Sequence, residues 1–271
     1  MNRGLINKSI REVWGATLLC GCGIMVFEML LGFILRSFLV ENIEQWYQVE
    51  FIQKIIQALL GAEIAENIGV EMLRTVAWVH PIILAMLWGY EIAICTRVPA
   101  GEVDRGTVDV LFGLPVSRWR IYVSESLVWA VGGVVVIGMG WLGSMLEGLS
   151  GPSEARLGAG QVLMIAANLY CLFLAVGALA LLISSLSERR GRAVAVAFGI
   201  VLASFFLSFL AQFWEPAKAL SFMTVLNYYQ PMVVLRQAVW PVKDMAALLG
   251  FAIVLWTAGG CFFARRDICT V

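Results

Sequence analysis

The sequence predicts an all-α integral membrane protein with six transmembrane helices, and two observations support that prediction. Hydrophobic residues make up 61% of the 271 residues and charged residues only 14%, whereas ordinary globular domains carry about 25% charged residues. Several uncharged runs also reach the ~20 residues that a helix needs to cross the hydrocarbon core of a bilayer. The same composition excludes a disordered chain, because it supplies ample apolar surface to bury.

Six segments have the length and apolar character of a transmembrane helix. Four runs lack Asp, Glu, Lys and Arg altogether, at residues 126–146, 157–187, 193–214 and 245–264. Two further runs are each interrupted by one carboxylate, 13–35 by Glu28 and 75–96 by Glu91. We place the six spans, within a single transmembrane domain of residues 1–271, at residues 13–39, 75–96, 121–146, 160–185, 193–214 and 245–264.

Two segments between the spans are predicted to lie at the outer surface of the membrane. The segment 41–74 places four apolar residues between 52 and 59 on one helical face, which predicts an amphipathic helix at the interface or against a partner helix. The segment 215–244 contains an uncharged run at residues 219–235, whose middle includes Asn227, Gln230 and Pro231. Because such groups are costly in hydrocarbon, we predict a re-entrant or interfacial segment there.

The distribution of lysine and arginine predicts the orientation of the chain. With the N-terminus inside, twelve of these residues fall in cytoplasmic segments and six in outer segments. Cytoplasmic loops of membrane proteins carry such an excess. We therefore predict that both termini are cytoplasmic.

The chain offers little for metal or nucleic-acid chemistry. His80 is the single histidine, and because it precedes Pro81 we expect it to start a helix or lie at the interface. The six cysteines avoid the predicted outer loops, so neither a disulfide framework nor a metal site is expected. The 19 basic residues balance 19 acidic ones without a separate basic patch, which argues against nucleic-acid binding.

Glu28 is a candidate functional residue inside the membrane. It interrupts the first predicted span near its middle, where a carboxylate is energetically expensive. Two interpretations are open. Glu28 either has a function in the membrane, or it is structural. In the structural interpretation it is a protonated or hydrogen-bonded side chain inside the helix bundle, or the span is shifted so that Glu28 lies at a shallower depth.

The cytoplasmic loop 97–120 is predicted to contain a short amphipathic helix over residues 102–114. One apolar face of that helix can be shared by Val103, Val110, Leu111 and Leu114. Pro115 ends it, and Ser117 can cap the next helix. A lid helix lying on the lipid surface is the alternative.

The order of residues in this loop carries a family resemblance. A glutamate is followed by Gly-Thr, a short apolar run, a proline and Ser-Arg, directly after the second predicted span; the residues are Glu102, Gly106, Thr107, Leu111, Pro115, Ser117 and Arg118. This order resembles the cytoplasmic loop of the ABC type-2 permease family. The length and the predicted six spans are also similar to that family. Ser124 and Glu125 stand where the family often has a lysine.

The resemblance implies that the loop is a coupling helix that docks on a separate ATPase subunit, with Glu102 as a charged contact. It implies two permease chains, identical or different, and two ATPase chains in the cytoplasmic membrane of a bacterium or archaeon. The chain itself has no GxxxxGK[ST] phosphate loop. ATP and Mg²⁺ are therefore expected on the partner. In this chain we expect no cofactor and no enzymatic activity of its own.

The function expected from this resemblance is the membrane subunit of an ATP-driven exporter. One alternative is a secondary transporter driven by an ion gradient, with Glu28 as proton carrier. A second alternative is a membrane assembly factor that transports nothing.

Overall fold

The computed structural model describes residues 3–47, 70–107, 113, 115–149, 158–211 and 213–266. Within these residues every regular element is a helix. In chain order the α-helices are α1 (Arg3–Tyr47), α2 (Val70–Val79), α3 (Pro81–Cys95), α4 (Ala100–Asp104), α5 (Arg118–Leu149), α6 (Ala159–Leu186), α7 (Arg190–Leu210), α8 (Glu215–Leu220), α9 (Pro231–Gln237) and α10 (Val242–Arg265). Two 3₁₀ turns, Ser221–Met223 and Val225–Tyr228, connect α8 to α9.

Five helices in the described part of the chain are long and apolar enough to cross a membrane. They are Arg3–Ile34 within α1, followed by α5, α6, α7 and α10. They correspond to the first, third, fourth, fifth and sixth predicted spans. Of the segment 41–74, residues 41–47 continue α1 and residues 70–74 belong to α2. The part between them, residues 48–69, which holds the predicted amphipathic helix, lies outside the described residues.

The second predicted span, residues 75–96, is not one continuous helix. It divides at His80 into α2 and α3. Pro81 has no backbone N–H, and the residue before a proline is driven away from helical geometry, so His80 is extended at φ −61° and ψ 130°. Its Nδ1 accepts a hydrogen bond from the Ile82 amide at 3.3 Å, which confirms the expected role at a helix start.

Close packing between α1 and α5 depends on small residues. A Cβ atom on Gly143 would lie 2.5 Å from the backbone oxygen of Met25, and one on Gly140 would lie 3.0 Å from Ile24. On the opposite helix, a Cβ atom on Gly21 would lie 2.5 Å from the sulfur of Met139. Glycine at these contacts lets the two helices approach closely, as is common between membrane helices.

α6 forms the centre of the bundle. It is buried along most of its length and packs against α3, α5, α7 and α10. In contrast, α7 buries only Ala193, Ala197 and Val201 and exposes large side chains such as Phe198 and Phe206. An apolar face of this kind suits contact with hydrocarbon or with another membrane chain.

The segment 215–244 consists of short helical pieces rather than one helix. Trp78 and Tyr229 tie it to the bundle, because the Tyr229 hydroxyl donates a hydrogen bond to the Trp78 carbonyl at 2.9 Å. α9 packs against α2 and α6.

The helix predicted over residues 102–114 is wrong in its extent. α4 starts at Ala100 and ends at Asp104, and residues 105–107, 113 and 115–117 are not helical. The reason is Gly106, whose φ of 67° lies in the left-handed region and stops the helix. Leu111 and Leu114 lie outside the described residues.

Candidate functional site

The first three residues of the loop motif form one capped helical turn. The Gly106 amide donates to the Val103 carbonyl, and the Thr107 amide donates to the Glu102 carbonyl, both at 3.0 Å. This pair of bonds, with glycine in the left-handed conformation, is the Schellman arrangement that closes a helix C-terminus. The spacing of Glu102, Gly106 and Thr107 therefore has a structural cause, since it places the glutamate in the last turn and the threonine just after the cap.

Glu102 points into the protein rather than into solvent. Its side chain is only 7% exposed. It accepts hydrogen bonds from the Thr107 hydroxyl and from Arg105 at 3.2 Å, and the amine of Lys8 lies 3.7 Å away. The glutamate thereby links α4 to the start of α1.

The surroundings of Glu102 stabilise its charged form. Burial alone would raise the pKa of the carboxyl. The hydrogen bond from Thr107 and the positive charges of Lys8, Arg105 and Arg97 outweigh burial, so that the pKa lies below its ordinary value. Glu102 is therefore an anion at neutral pH, and its contacts with these cations persist there.

Arg97 is a second point of connection, in the turn between α3 and α4. It is buried, and its guanidinium pairs with Glu12 of α1 and Glu125 of α5. The same group donates to the Ser9 hydroxyl at 3.1 Å, and that hydroxyl donates to Glu125. The turn that precedes α4 is thus fixed to two long helices by charge-assisted hydrogen bonds, which are the strong ones.

The other side of α4 rests on α6 and α7. The Ala100 amide donates to the Ser184 hydroxyl at 3.2 Å. A Cβ atom on Gly101 would lie 3.2 Å from the Cδ atom of Arg190, whose guanidinium also donates to the Ala93 carbonyl at 3.0 Å. A five-residue helix is therefore held between α1, α6 and α7.

The remaining motif residues lead into α5. The Ser117 hydroxyl accepts a hydrogen bond from the Arg120 amide at 3.4 Å, which confirms the expected cap. Arg118 donates to the backbone oxygen of Arg266, so the start of α5 contacts the end of α10. Pro115 is exposed.

These contacts define one end of the molecule, which we call the arginine-rich end. It contains Arg97, Arg105, Arg118, Arg120, Arg190 and Arg266, together with the capped turn and α4. The motif residues that the structure describes all lie there.

Glu28 lies far from this end. It is sixteen residues after Glu12 on α1, which corresponds to about 24 Å at 1.5 Å per residue. Glu28 is 3% exposed and lies near Glu147 of α5 and Tyr229. Its Oε1 atom has no hydrogen-bond partner among the described residues.

No group of three or more His, Cys, Asp or Glu side chains in the described part of the chain is arranged to hold a metal ion. Lys8, Ser9, Glu12 and Arg97 lie at the site although none of them belongs to the loop motif, and Glu125 stands out in the sequence only as a departure from the family pattern. One signal was available, because a lysine and a glutamate four residues apart on a helix share a face, as Lys8 and Glu12 do.

Comparison with known families identifies the chain. The family model described as ABC-2 family transporter protein matches residues 13–268. The chain belongs to the ABC-2 transporter family. It is therefore a membrane protein and the membrane subunit of an ABC transporter, whose ATPase is a partner. No curated protein and no solved structure is detectably similar to this ABC-2 protein.

Proposed function

We propose that this ABC-2 protein is the permease subunit of an exporter that couples ATP hydrolysis by a separate subunit to substrate movement. In this proposal six spans cross the bacterial or archaeal cytoplasmic membrane, α2 and α3 together form the second, and both termini are cytoplasmic. Two permease chains, identical or different, pair with two ATPase chains that bind ATP and Mg²⁺. The single observation that supports coupling most directly is the capped turn at Glu102, Gly106 and Thr107, locked to α1.

The capped turn is suited to transmit movement of the ATPase to the membrane helices. Asp104, Arg105 and Gly106 are exposed and form the surface available to the ATPase. Glu102 on the opposite face of the same turn holds Lys8 of α1. Movement of α4 therefore pulls α1 through Glu102 and moves α5 through Arg97 and Glu125.

This mechanism gives Glu102 a different role from the one expected from the family resemblance. A side chain bound by Thr107, Arg105 and Lys8 is not free to meet a partner. We propose that Glu102 is a positioning residue, and that Asp104 and Arg105 are the charged residues at the docking surface. ATP binding would then bias α1 and α5 between two arrangements, which is a population shift rather than bond chemistry in this chain.

Co-purification with the ATPase tests the docking surface. The substitutions Asp104→Lys and Leu111→Asp are each compared with Lys218→Glu, which reverses an exposed charge far along the chain from the loop. We expect the first two to weaken ATPase association by about tenfold or more while the permease still inserts and folds. Lys218→Glu should have no effect. Normal association in both loop variants would reject the docking surface.

Measuring ATP hydrolysis with and without transport substrate distinguishes coupling from docking alone. In Glu102→Gln the ATPase should still bind, because Asp104 and Arg105 remain at the docking surface. ATP hydrolysis, however, should no longer depend on the presence of a transport substrate. If Glu102→Gln left both binding and coupling unchanged, the positioning role would be wrong.

A second candidate function is favoured by the burial of Glu28. A carboxylate buried beside Glu147 has the surroundings of a proton carrier in an ion-gradient-driven transporter. That function requires substrate movement in vesicles that contain a proton gradient but no ATP. Absence of such movement in the presence of an intact gradient would exclude it.

A further inference from the structure

A cavity of about 300 Å³ opens on the side of the bundle between α5, α6 and α10. Its volume falls at the lower end of the range of ligand sites, roughly 300–1,000 Å³. We call it the lateral groove, and its walls include Val123, Leu127, Ala130, Leu174, Ile253 and Trp256. We propose that the lateral groove binds one acyl chain of an anionic phospholipid, whose headgroup is held by Arg120.

The described residues of the groove wall expose no polar atom to the cavity. The Ser126 hydroxyl donates to the Tyr122 carbonyl at 2.8 Å and accepts from the indole N–H of Trp256 at 2.8 Å. The indole nitrogen of Trp129, the other tryptophan in the wall, is buried. A polar ligand would lose its hydrogen bonds to water without replacement, whereas an acyl chain needs none.

The depth of the groove also points to an acyl chain. All three helices that line it are long and apolar enough to cross a membrane. Val123 and Ala130 lie five and twelve residues after Arg118, or about 8 and 18 Å along α5. In a hydrocarbon core about 30 Å thick, these depths place the groove in the leaflet on the arginine-rich side. Lipid tails surround the protein there and contact the exposed side chains of Leu127 and Ile253.

Arg120 lies where the headgroup of such a lipid would be. It precedes Val123 by three residues and Leu127 by seven, so the three share a face of α5. Arg120 is exposed, and no carboxylate among the described residues pairs with it. A guanidinium binds phosphate oxygens in a bidentate manner, and basic residues at a cytoplasmic membrane surface bind anionic lipid headgroups.

Native mass spectrometry of the reconstituted chain tests this proposal. The chain is placed in vesicles of phosphatidylcholine and phosphatidylglycerol, extracted in mild detergent, and the retained lipids are identified. Ala130→Phe fills the groove from α5, and Ile253→Trp fills it from α10 without changing a buried position. The matched control Val134→Phe adds the same ring one turn further along α5, at an exposed position outside the groove.

We expect the unmodified chain and Val134→Phe to retain one phosphatidylglycerol per chain. Both filling variants should retain about tenfold less. Arg120→Gln should lose the preference for phosphatidylglycerol over phosphatidylcholine by about fivefold, the equivalent of about 1 kcal/mol. Arg192→Gln, which removes an exposed arginine from α7, should keep that preference.

Three results would overturn the proposal. Undiminished retention in the folded Ile253→Trp variant would show that the groove is empty of lipid. Equal loss in Val134→Phe would show that only general surface lipid is measured. Conversion of a dimer to a monomer by the filling variants, with lipid retention unchanged, would assign the groove to a second copy of the chain.

Discussion

The Nζ atom of Lys8 lies 3.7 Å from a carboxylate oxygen of Glu102, which joins the first turns of α1 to the five-residue helix α4. A side chain at the N-terminal end of the longest helix thereby holds the turn that carries the family motif. Because Glu102 also belongs to the capped turn, this ion pair connects the turn to α1.

Removing the charge of Arg97 should destabilise the protein strongly. Arg97→Gln leaves Glu12 and Glu125 facing each other without the cation that pairs with both. Loss of one partner from a buried ion pair costs about 3–5 kcal/mol; because Glu12 is partly exposed, we expect about 3 kcal/mol. Unfolding in mixed micelles, followed by circular dichroism, measures it. The exposed control Arg192→Gln should change stability by less than about 0.5 kcal/mol, and equal effects would contradict the prediction.

The contribution of Glu102 to stability should depend on pH. Its folded-state pKa lies below the ordinary value, so the stabilisation is fully present above the unfolded-state pKa of about 4.3. It is lost as the pH falls through the folded-state value. The difference in melting temperature between the unmodified chain and Glu102→Gln should therefore be constant near neutral pH and shrink below about pH 4. A difference that grew on acidification would refute the lowered pKa.

The contact between α1 and α5 should tolerate no side chain at Gly143. Gly143→Ala places a methyl group against the Met25 backbone, and overpacking of this kind costs about 1–3 kcal/mol. The matched control is Gly138→Ala on the same helix, where no atom of the described residues lies within 4 Å of the added one. That change should be neutral or stabilising by about 0.5–1 kcal/mol, because alanine is the better helix former. Thermal unfolding of the two variants compares them, and the opposite order would exclude the close approach.

Neutralising Glu28 should not destabilise the fold. Glu28→Gln keeps the shape of the side chain and removes its ability to carry a negative charge beside Glu147. We expect the free energy of unfolding to stay constant or to rise by up to about 1 kcal/mol, since like charges in a buried site repel. Unfolding in mixed micelles measures it, and a loss of more than about 2 kcal/mol would instead show that the ionised carboxylate is a structural partner. Unchanged transport in Glu28→Gln would exclude a functional role.

The helix caps show what could be predicted from local sequence. His80 before Pro81 and Ser117 before Arg118 start helices as expected, because proline chemistry and side-chain capping involve only neighbouring residues. The extent of α4 was mispredicted for a local reason as well. Apolar periodicity favoured a helix through residue 114, but the left-handed conformation of Gly106 ends it at Asp104.

Composition and local residue order were enough to predict the family, the membrane setting and the approximate position of five apolar spans. A helix that crosses the hydrocarbon core needs about 20 apolar residues in a row, and such a run can be recognised from neighbouring residues alone. Two contacts depend instead on how the helices pack: Arg97 binds Glu12, 85 positions earlier, and Glu102 turns inward to Lys8. Charges so far apart in sequence meet only after helices pack, and packing depends on the shapes of whole helix faces, such as the glycines that bring α1 against α5.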